Sequence, residues 1–126
     1  MKALLIIAHG SRREQANNEI QQLTEYLEEN DQSDFAWVRH SFLEMGHPNI
    51  PGSINELIQN GAREIVVLPY FLAAGAHVAK DIPEIIANLQ QENPDVLLSI
   101  MPHIGSTNGM KRLLLMQIQQ ASFRKP

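Results

Sequence analysis

The sequence predicts a single α/β domain, 1–126, with three layers in which a four-stranded parallel sheet lies between helices. Two observations support this prediction. Short apolar runs alternate four times with longer segments whose apolar residues recur at helical spacing, which is the pattern of a βαβαβαβα chain. The first and third runs are apolar throughout, as strands are when helices cover both faces of a parallel sheet. For four such strands we expect the flavodoxin-like order 2-1-3-4, with helices on both faces.

The first strand and helix are predicted from an apolar run and a capping signal. The run is Lys2–Ala8, and Ser11 then stands three residues before Glu14. This is the spacing of a capping box, so a helix is expected to start here and to run to about Glu29. Its apolar face comprises Ile20, Leu23, Tyr26 and Leu27. The second strand, Phe35–Phe42, mixes polar with β-branched and aromatic residues, which indicates a position near a sheet edge.

Proline and glycine delimit the middle of the chain. Pro48 and Pro51 set up a second helix, and Gly61 is suited to its C-terminal cap. The residues of this helix that should face the core are Ile54, Leu57 and Ile58. Glu64–Leu68 is the predicted third strand, and a loop is expected over 69–80.

The last two helices flank the fourth strand. Asp81 and Glu84 repeat the capping spacing, and Asp81 is interpreted as the cap of the third helix. The apolar face of this helix comprises Ile82, Ile85, Ile86 and Leu89. The fourth strand is predicted over Val96–Met101, and a last helix is expected to begin at Thr107 or Asn108. Its apolar residues are Leu113, Leu114, Met116 and Ile118.

Composition excludes several classes of function. The net charge of -4 argues against a nucleic-acid partner, since such proteins usually carry a basic excess. The chain has no cysteine, so disulfides, thiolate metal sites and a cysteine nucleophile are excluded, and a metal site must use imidazole and oxygen. The apolar run Ala3–Ala8 is too short for a signal peptide or a membrane span, and Pro69 and Gly75 interrupt the uncharged stretch 65–76. We therefore expect a cytoplasmic protein without a membrane partner.

Three residues with catalytic chemistry follow strands of the predicted sheet. His9 directly follows the first strand, Glu44 lies two residues after the end of the second strand, and His77 lies in the loop after the third strand. Ligands of open parallel sheets bind beyond the carboxyl ends of the strands, where the strand order reverses, here between the first and third strands. Two neutral imidazoles can bind a divalent metal such as cobalt, nickel, iron or zinc, and they can also accept protons near neutral pH. The sequence therefore predicts a histidine and carboxylate site at this edge.

Other residues at the same edge suit a ligand. The loop before His77 presents little side chain and offers a flat wall, formed by Ala73, Ala74, Gly75 and Ala76. Arg12 and Arg13 begin the first helix, where basic side chains and free N–H groups favour an anion. His47 lies near enough to touch a ligand, and His103 follows the fourth strand.

Each candidate also has an interpretation without a ligand. His9 can instead hydrogen-bond a backbone carbonyl, His77 can be a solvated residue of a flexible loop, and Glu44 a solvated surface carboxylate. His103 fits a packed loop equally well, and His40, inside the second strand, is interpreted as structural.

Three segments carry a resemblance that covers nearly the whole chain. They are Ala8-His9-Gly10-Ser11-Arg12, Phe42-Leu43-Glu44 and the long segment 68–83, which contains the small-residue loop and His77. In these segments the chain resembles the small, single-domain sirohydrochlorin chelatases of the CbiX type. The resemblance implies that His9 accepts protons and binds metal and that His77 is the second metal ligand. Glu44, from its position after the second strand, is interpreted as a third oxygen ligand or a proton acceptor, and it is counted with the catalytic residues. The implied substrate contacts are Ser11, Arg12, Glu44, His47, Leu72, Ala73, Ala74, Gly75, Ala76 and His77.

The resemblance also implies an activity and an assembly. The expected reaction inserts a divalent metal, here assigned as Co²⁺, into sirohydrochlorin on the route to cobalamin, without ATP or an organic cofactor. Fe²⁺ and Ni²⁺ are alternatives, as is a non-catalytic carrier of the tetrapyrrole or the metal. Larger chelatases of this superfamily have two such halves, so a homodimer is expected. The family often has an acidic residue where this chain has His47, which leaves the substrate contact there open.

A histidine phosphatase is a rival from another class of enzyme. Such enzymes also place a His-Gly pair after the first strand. Their chemistry needs an arginine directly before the histidine, and this chain has Ala8 there. The sequence therefore favours the chelatase.

Overall fold

The structure is a computed structural model that describes residues 1–121. Its strands form one parallel sheet in the order β2-β1-β3-β4. They are β1 Lys2–Ala8, β2 Trp37–Phe42, β3 Glu64–Pro69 and β4 Leu97–Ile100. The predicted fold class and strand order are confirmed, and β2 lies at an edge as expected. The predicted domain, 1–126, includes residues 122–126, which lie outside the described residues, so its extent stays a prediction.

The described residues form α-helices between and after the strands. They are α1 Glu14–Asn30, α2 Ile50–Gln59, α3 Ile82–Glu92 and α4 Asn108–Ala121. A π-helical turn, His77–Asp81, runs directly into α3, and a 3₁₀ turn, Ile104–Ser106, precedes α4. The prediction of a loop over 69–80 is therefore wrong for 77–80, where the chain is already helical.

The helix ends confirm one capping prediction and contradict two. After α2, Gly61 has φ +110°, and the N–H groups of Gly61 and Ala62 donate to Ile58 and Leu57, which is a Schellman cap. The capping boxes predicted at Ser11 and Asp81 are wrong, because neither α1 nor α3 has a side-chain cap hydrogen bond. The Ser11 hydroxyl instead accepts the N–H of Arg13 over 3.1 Å, and the Asp81 carboxylate binds His77, as described below.

The main core lies between one face of the sheet and the helices α2 and α3. Alternation along the strands puts Ala3, Leu5 and Ile7 of β1 on this face, and all three are fully buried. The register places Ile65 beside Ala3 and Val67 beside Leu5, so the buried face continues across β3. The helices contribute Ile50, Ile54, Leu57, Ile82, Ile86 and Leu89 to the same cluster.

The opposite face of the sheet is covered over only part of its width. There α1 packs against β2, and Val38 and Thr24 are buried. Over β3 and β4 the same face stays accessible, and Leu97 is 57% exposed. In a doubly wound fold a helix covers this region, but α4 has no buried residue. Helices therefore lie on both faces, as predicted, while α4 leaves its own apolar side chains in solvent.

Candidate active site at the carboxyl edge of the sheet

The rings of His9 and His77 lie next to each other beyond the carboxyl ends of β1 and β3. Their centroids are 4.9 Å apart and their planes are tilted by 56°. The side chains are 40% and 39% exposed, so both rings can be reached from solvent. The structure thus brings together two histidines that are far apart in sequence, at the point where the strand order reverses.

Hydrogen bonds at Nδ1 determine which nitrogen of each ring is available. His9 Nδ1 lies 2.9 Å from the carbonyl oxygen of Gly10, and His77 Nδ1 lies 2.8 Å from Asp81 Oδ2. Both partners accept hydrogen bonds, so in the neutral ring Nδ1 carries the proton and donates it. Nε2 of each imidazole then has a free lone pair, which can bind a metal ion or take a proton.

Glu44 joins the pair from the strand end of β2. Its Oε2 lies 3.5 Å from His9 Nε2, and half of its side chain is accessible. The backbone holds it there, because the N–H groups of Leu43 and Glu44 donate to the carbonyls of Ala8 and His9, each over 2.9 Å. These bonds continue the β1–β2 ladder beyond the strands, so the Glu44 carboxylate is placed beside the first histidine.

Gly10 makes this approach possible. Its φ is +96°, and a Cβ at this position would lie 1.7 Å from the carbonyl oxygen of Glu44. Any larger residue would push the loop after β2 away from the loop after β1. The glycine that follows His9 is therefore a packing requirement between the two loops.

Asp81 acts differently from its predicted role. It was predicted to cap α3, but its backbone is already helical, with φ -66° and ψ -48°, and its carboxylate makes no cap bond. The carboxylate instead accepts the hydrogen bond from His77, four residues earlier on the π-helical turn. Segments with this winding often occur at functional sites.

The loop from Leu72 to Ala76 is exposed and leads directly into the turn that carries His77, while its role as a wall for a ligand stays a prediction. Two backbone bonds anchor its start: Tyr70 N donates to Ile7 O over 2.8 Å, and Gly105 N donates to Phe71 O over 2.9 Å. A Cβ on Gly105 would lie 1.7 Å from the carbonyl oxygen of Leu72, so the loop after β4 lies directly against this loop.

Ser11, Arg12 and His47 line a neighbouring cleft of about 530 Å³. Asn17 of α1 holds one side of it: Ser11 N donates to Asn17 Oδ1 over 3.0 Å, and Asn17 Nδ2 donates to the carbonyls of Ser11 and Met45 over 2.8 and 3.2 Å. Sequence reasoning missed Asn17, since a polar residue on the outer face of a helix gives no signal of a tertiary contact. It ties the loops after β1 and β2 together.

The two remaining histidines lie outside the pair. His40 is half-buried with its ring edge-on to Phe42 at 5.4 Å, and burial lowers its pKa below the ordinary value. It is therefore neutral at pH 7, which agrees with a structural role. His103 lies on the loop after β4, where its carbonyl accepts a hydrogen bond from Ser106 Oγ over 2.7 Å.

Residues 1–121 lack two other features. In this part of the chain, no three His, Asp or Glu side chains are arranged to hold a metal ion together. Nor does any helix within it have the length and apolar character needed to cross a membrane.

Known proteins resemble this chain in sequence. A sirohydrochlorin cobaltochelatase from Methanococcus aeolicus is 35% identical over 92 residues, which are 73% of this chain and 63% of that protein. A chloroplastic sirohydrochlorin ferrochelatase from Arabidopsis thaliana is 29% identical over 83% of this chain and 46% of its own length. The chain thus spans less than two thirds of these relatives. One from Methanosarcina acetivorans, named sirohydrochlorin cobaltochelatase, matches over 94% of this chain and 95% of its own, at 29% identity.

Solved structures show the same fold. A protein from Marinobacter aquaeolei, described as a putative cobalamin biosynthesis CbiX protein, superimposes with a TM-score of 0.85, at 23% identity, over 99% of this chain and all of its own. The sirohydrochlorin chelatase SirB from Bacillus subtilis, in complex with cobalt, superimposes with a TM-score of 0.80 over 94% of this chain and 50% of its own, at 28% identity. The family model named CbiX matches residues 3–121. On this match, which covers nearly all of the chain, the protein belongs to the CbiX family.

Proposed function

We propose that this chain is a sirohydrochlorin chelatase that inserts a divalent metal ion into the tetrapyrrole without ATP or an organic cofactor. The observation that carries the proposal is the pair of imidazoles, His9 and His77, 4.9 Å apart, each with Nδ1 hydrogen-bonded so that Nε2 is left to bind a metal ion or a proton, and with Glu44 Oε2 3.5 Å from His9 Nε2. The relatives named sirohydrochlorin cobaltochelatase and ferrochelatase support the substrate. The proposed location, the cytoplasm, stays a prediction.

Insertion requires that the ion leave its protein ligands while two pyrrole protons leave the ring. A neutral imidazole can do both, since the Nε2 lone pair binds either the metal or a proton. In the proposed reaction His9 and His77 hold the ion, and it passes from them to the ring nitrogens. Imidazole is a weaker partner than thiolate for such an ion, so its release to the macrocycle is easier.

Glu44 is proposed to act on the protons. Its Oε2 is 3.5 Å from His9 Nε2, close enough to take over a proton that His9 has accepted once the two groups approach by about 0.5 Å. Half of the carboxylate is accessible, so the proton can be passed on to water. His9 is thereby returned to its neutral form for the next cycle.

The macrocycle is proposed to lie against the wall from Leu72 to Ala76. Small, exposed residues allow a broad, flat ligand to approach the backbone there. Sirohydrochlorin carries eight carboxyl groups, and Arg12 in the adjacent cleft, together with Ser11 and His47, supplies donors for them. The ring would then sit with its nitrogens over the two histidines.

We propose Co²⁺ as the metal, in agreement with most of the relatives' names. Fe²⁺ and Ni²⁺ suit the same two imidazoles and are the alternatives. A turnover assay with purified protein and sirohydrochlorin, followed by absorbance with each ion in turn, ranks them. A spectral change that stops at one equivalent per protein would instead identify a carrier and contradict the enzymatic proposal.

Variants test the roles of the individual residues. We expect His9→Ala and His77→Ala each to lose most metal insertion while circular dichroism shows an intact fold. Glu44→Gln should slow turnover more than it weakens metal binding; the reverse would make Glu44 a ligand. The matched control is Glu64→Gln, because Glu64 begins β3 and lies at the opposite edge of the sheet.

The chain is also proposed to form a homodimer through α4. This helix has no buried residue and exposes Leu113, Leu114, Leu115, Met116 and Ile118. The sheet face over β3 and β4 is accessible too, with Leu97 on it. Apolar surface on this scale marks an interface, and a helix from a second copy is the missing cover for that face.

Sedimentation analysis tests the dimer. Leu114 and Ile118 lie one turn apart on α4, so a double substitution to lysine places two charges on one side of the helix. We expect it to give a monomer at concentrations where the unmodified protein is a dimer. The control is Tyr26→Lys, which alters an exposed aromatic residue of α1 and should leave the dimer intact. A monomeric unmodified protein would contradict the proposal.

A further inference from the structure

The hydrogen bond between His77 and Asp81 connects a proposed metal ligand to a carboxylate that has no other assigned role. The two residues are the first and last of the π-helical turn His77–Asp81, and Nδ1 lies 2.8 Å from Oδ2. Both side chains are about three-fifths buried, with 39% and 42% of their surface exposed. The bond is therefore partly shielded from water, which strengthens it.

Capping of α3 does not explain the position of the Asp81 carboxylate. A residue that caps a helix has extended backbone and accepts a bond from the first turn, whereas Asp81 is helical and makes no such bond. The N–H of Ile82 instead donates to the carbonyl of His77, as the π-helical winding requires. Asp81 is thus free to hold the imidazole, and the winding places its carboxylate beside Nδ1.

The bond has a consequence for the ring. A neutral imidazole exists in two tautomers, and an acceptor at Nδ1 selects the one in which Nε2 has the lone pair. The bond also limits rotation of the ring, so Nε2 keeps its orientation in the site that His9 shares. Carboxylates placed in this way behind metal-binding histidines raise their basicity and fix their orientation.

We propose that Asp81 is a positioning residue that fixes the tautomer and orientation of His77 for metal transfer. The inference rests on the proposed function for its biological meaning, but its physical content concerns the metal-free protein. His9 has a backbone carbonyl in the same place, the Gly10 oxygen at 2.9 Å. The two histidines are thus held by different acceptors, a backbone carbonyl at His9 and a carboxylate at His77. Substituting a side chain can remove only the acceptor at His77.

The first experiment measures the tautomer without metal or tetrapyrrole. Nitrogen-15 NMR at a pH where the ring is neutral distinguishes a protonated Nδ1 from a protonated Nε2. We expect His77 to be the Nδ1–H form in the unmodified protein and to shift towards the Nε2–H form in Asp81→Ala. Asp81→Asn should keep the original signal, because its amide oxygen still accepts the bond. An unchanged signal in Asp81→Ala would overturn the proposal.

The second experiment measures Co²⁺ binding by absorbance titration. Loss of such a carboxylate typically costs 10–100-fold in metal affinity, so Asp81→Ala should bind Co²⁺ about 10–100-fold more weakly, with Asp81→Asn near the unmodified value. The matched control is Glu84→Ala, which removes an exposed carboxylate from the first turn of the same helix. Equal losses in Glu84→Ala and Asp81→Ala would indicate a general charge effect and overturn the proposal.

Two further points keep the outcome unambiguous. Should Asp81→Ala fail to fold, Asp81→Leu provides a side chain of similar size that accepts no hydrogen bond. Absence of turnover with sirohydrochlorin in every protein, together with the expected tautomer shift and Co²⁺ loss, would refute the proposed function and leave the positioning role in place. Normal turnover, with the tautomer and the Co²⁺ affinity unchanged in Asp81→Ala, would refute the positioning role and leave the proposed function in place.

Discussion

Replacing Gly10 by alanine should destabilise the protein and disturb the site together. Gly10 has φ +96°, and an added Cβ would lie 1.7 Å from the carbonyl oxygen of Glu44. A side chain at positive φ costs about 2 kcal/mol. The clash adds to this, because the loop must move far enough to break the bond from Glu44 N to His9 O, worth about 1 kcal/mol, and to disturb its packing.

Gly61 provides a matched control. Its φ is +110°, but a Cβ there would meet nothing within 4 Å. Both substitutions restrict the unfolded chain equally, which returns about 0.7 kcal/mol in each case. We therefore expect Gly61→Ala to cost about 1 kcal/mol, from backbone strain alone. Gly10→Ala should cost at least about 2 kcal/mol, and the difference measures the contact with Glu44.

Urea denaturation followed by circular dichroism gives these free energies. For a domain of this size, 1 kcal/mol corresponds to about 4 °C in Tm, so the expected decreases are at least about 8 °C for Gly10→Ala and about 4 °C for Gly61→Ala. Co²⁺ affinity at a temperature where both variants are folded should fall only for Gly10→Ala. Equal destabilisation of the two variants would refute the reasoning, since it would mean that the loop after β2 yields without cost.

Four other predictions follow from the packing and the hydrogen bonds. Ser41→Ala should be neutral or stabilise by up to about 1 kcal/mol in urea, since the buried Ser41 hydroxyl has no hydrogen-bond partner within residues 1–121; a clear loss would show that a partner exists. Ile54→Ala should cost about 2–5 kcal/mol by the same measurement, because Ile54 is fully buried in the main core; a cost below 1 kcal/mol would contradict that placement. Asn17→Ala removes the three hydrogen bonds that join Asn17 to the loops after β1 and β2, and it should lower stability by about 1–3 kcal/mol. If those loops carry the site, its effect on Co²⁺ affinity relative to its effect on stability should be larger than that of Ile54→Ala. Burial lowers the pKa of His40 in the folded protein, so the unfolded chain binds a proton first as the pH falls. The stability from this residue is complete above about pH 6.5 and is lost as the pH falls through the folded pKa. His40→Gln should therefore lose less stability than the unmodified protein between pH 8 and pH 5.

The sequence predicted the framework of the site because its signals are local. The apolar run Lys2–Ala8 matches β1 at both ends, and strand–helix alternation leads to a parallel sheet with order 2-1-3-4. In such a sheet all strand ends of one kind meet at one edge. That topological rule was sufficient to bring His9 and His77 together before any distance was known.

Capping predictions failed where another local partner takes the side chain. Ser11 and Asp81 both have the correct residue type and spacing for a cap, yet the Ser11 hydroxyl accepts the N–H of Arg13 and the Asp81 carboxylate binds His77. The spacing of two residues records only what a side chain can reach within its own helix. It contains no information on other local partners that a turn before the helix or a π-helical winding brings within reach of the same side chain.

The last helix was predicted from local sequence pattern, but the surface that would bury its apolar side chains was not. Its apolar residues predicted a helix, and α4 forms at the expected position, with Thr107 Oγ1 accepting the N–H of Met110. Periodicity states that a helix has apolar side chains to bury but not which surface buries them. By itself the sequence determined the strands, their order and the two histidines at the switch point, because residue pattern and chain topology suffice for these. Only the three-dimensional structure decided the Nδ1 partners of those histidines, the contact between Gly10 and Glu44, and the exposure of α4. The Nδ1 partners depend on the local backbone conformation after His9 and on the winding of the π-helical turn, and the other two features depend on packing between segments that are remote along the chain.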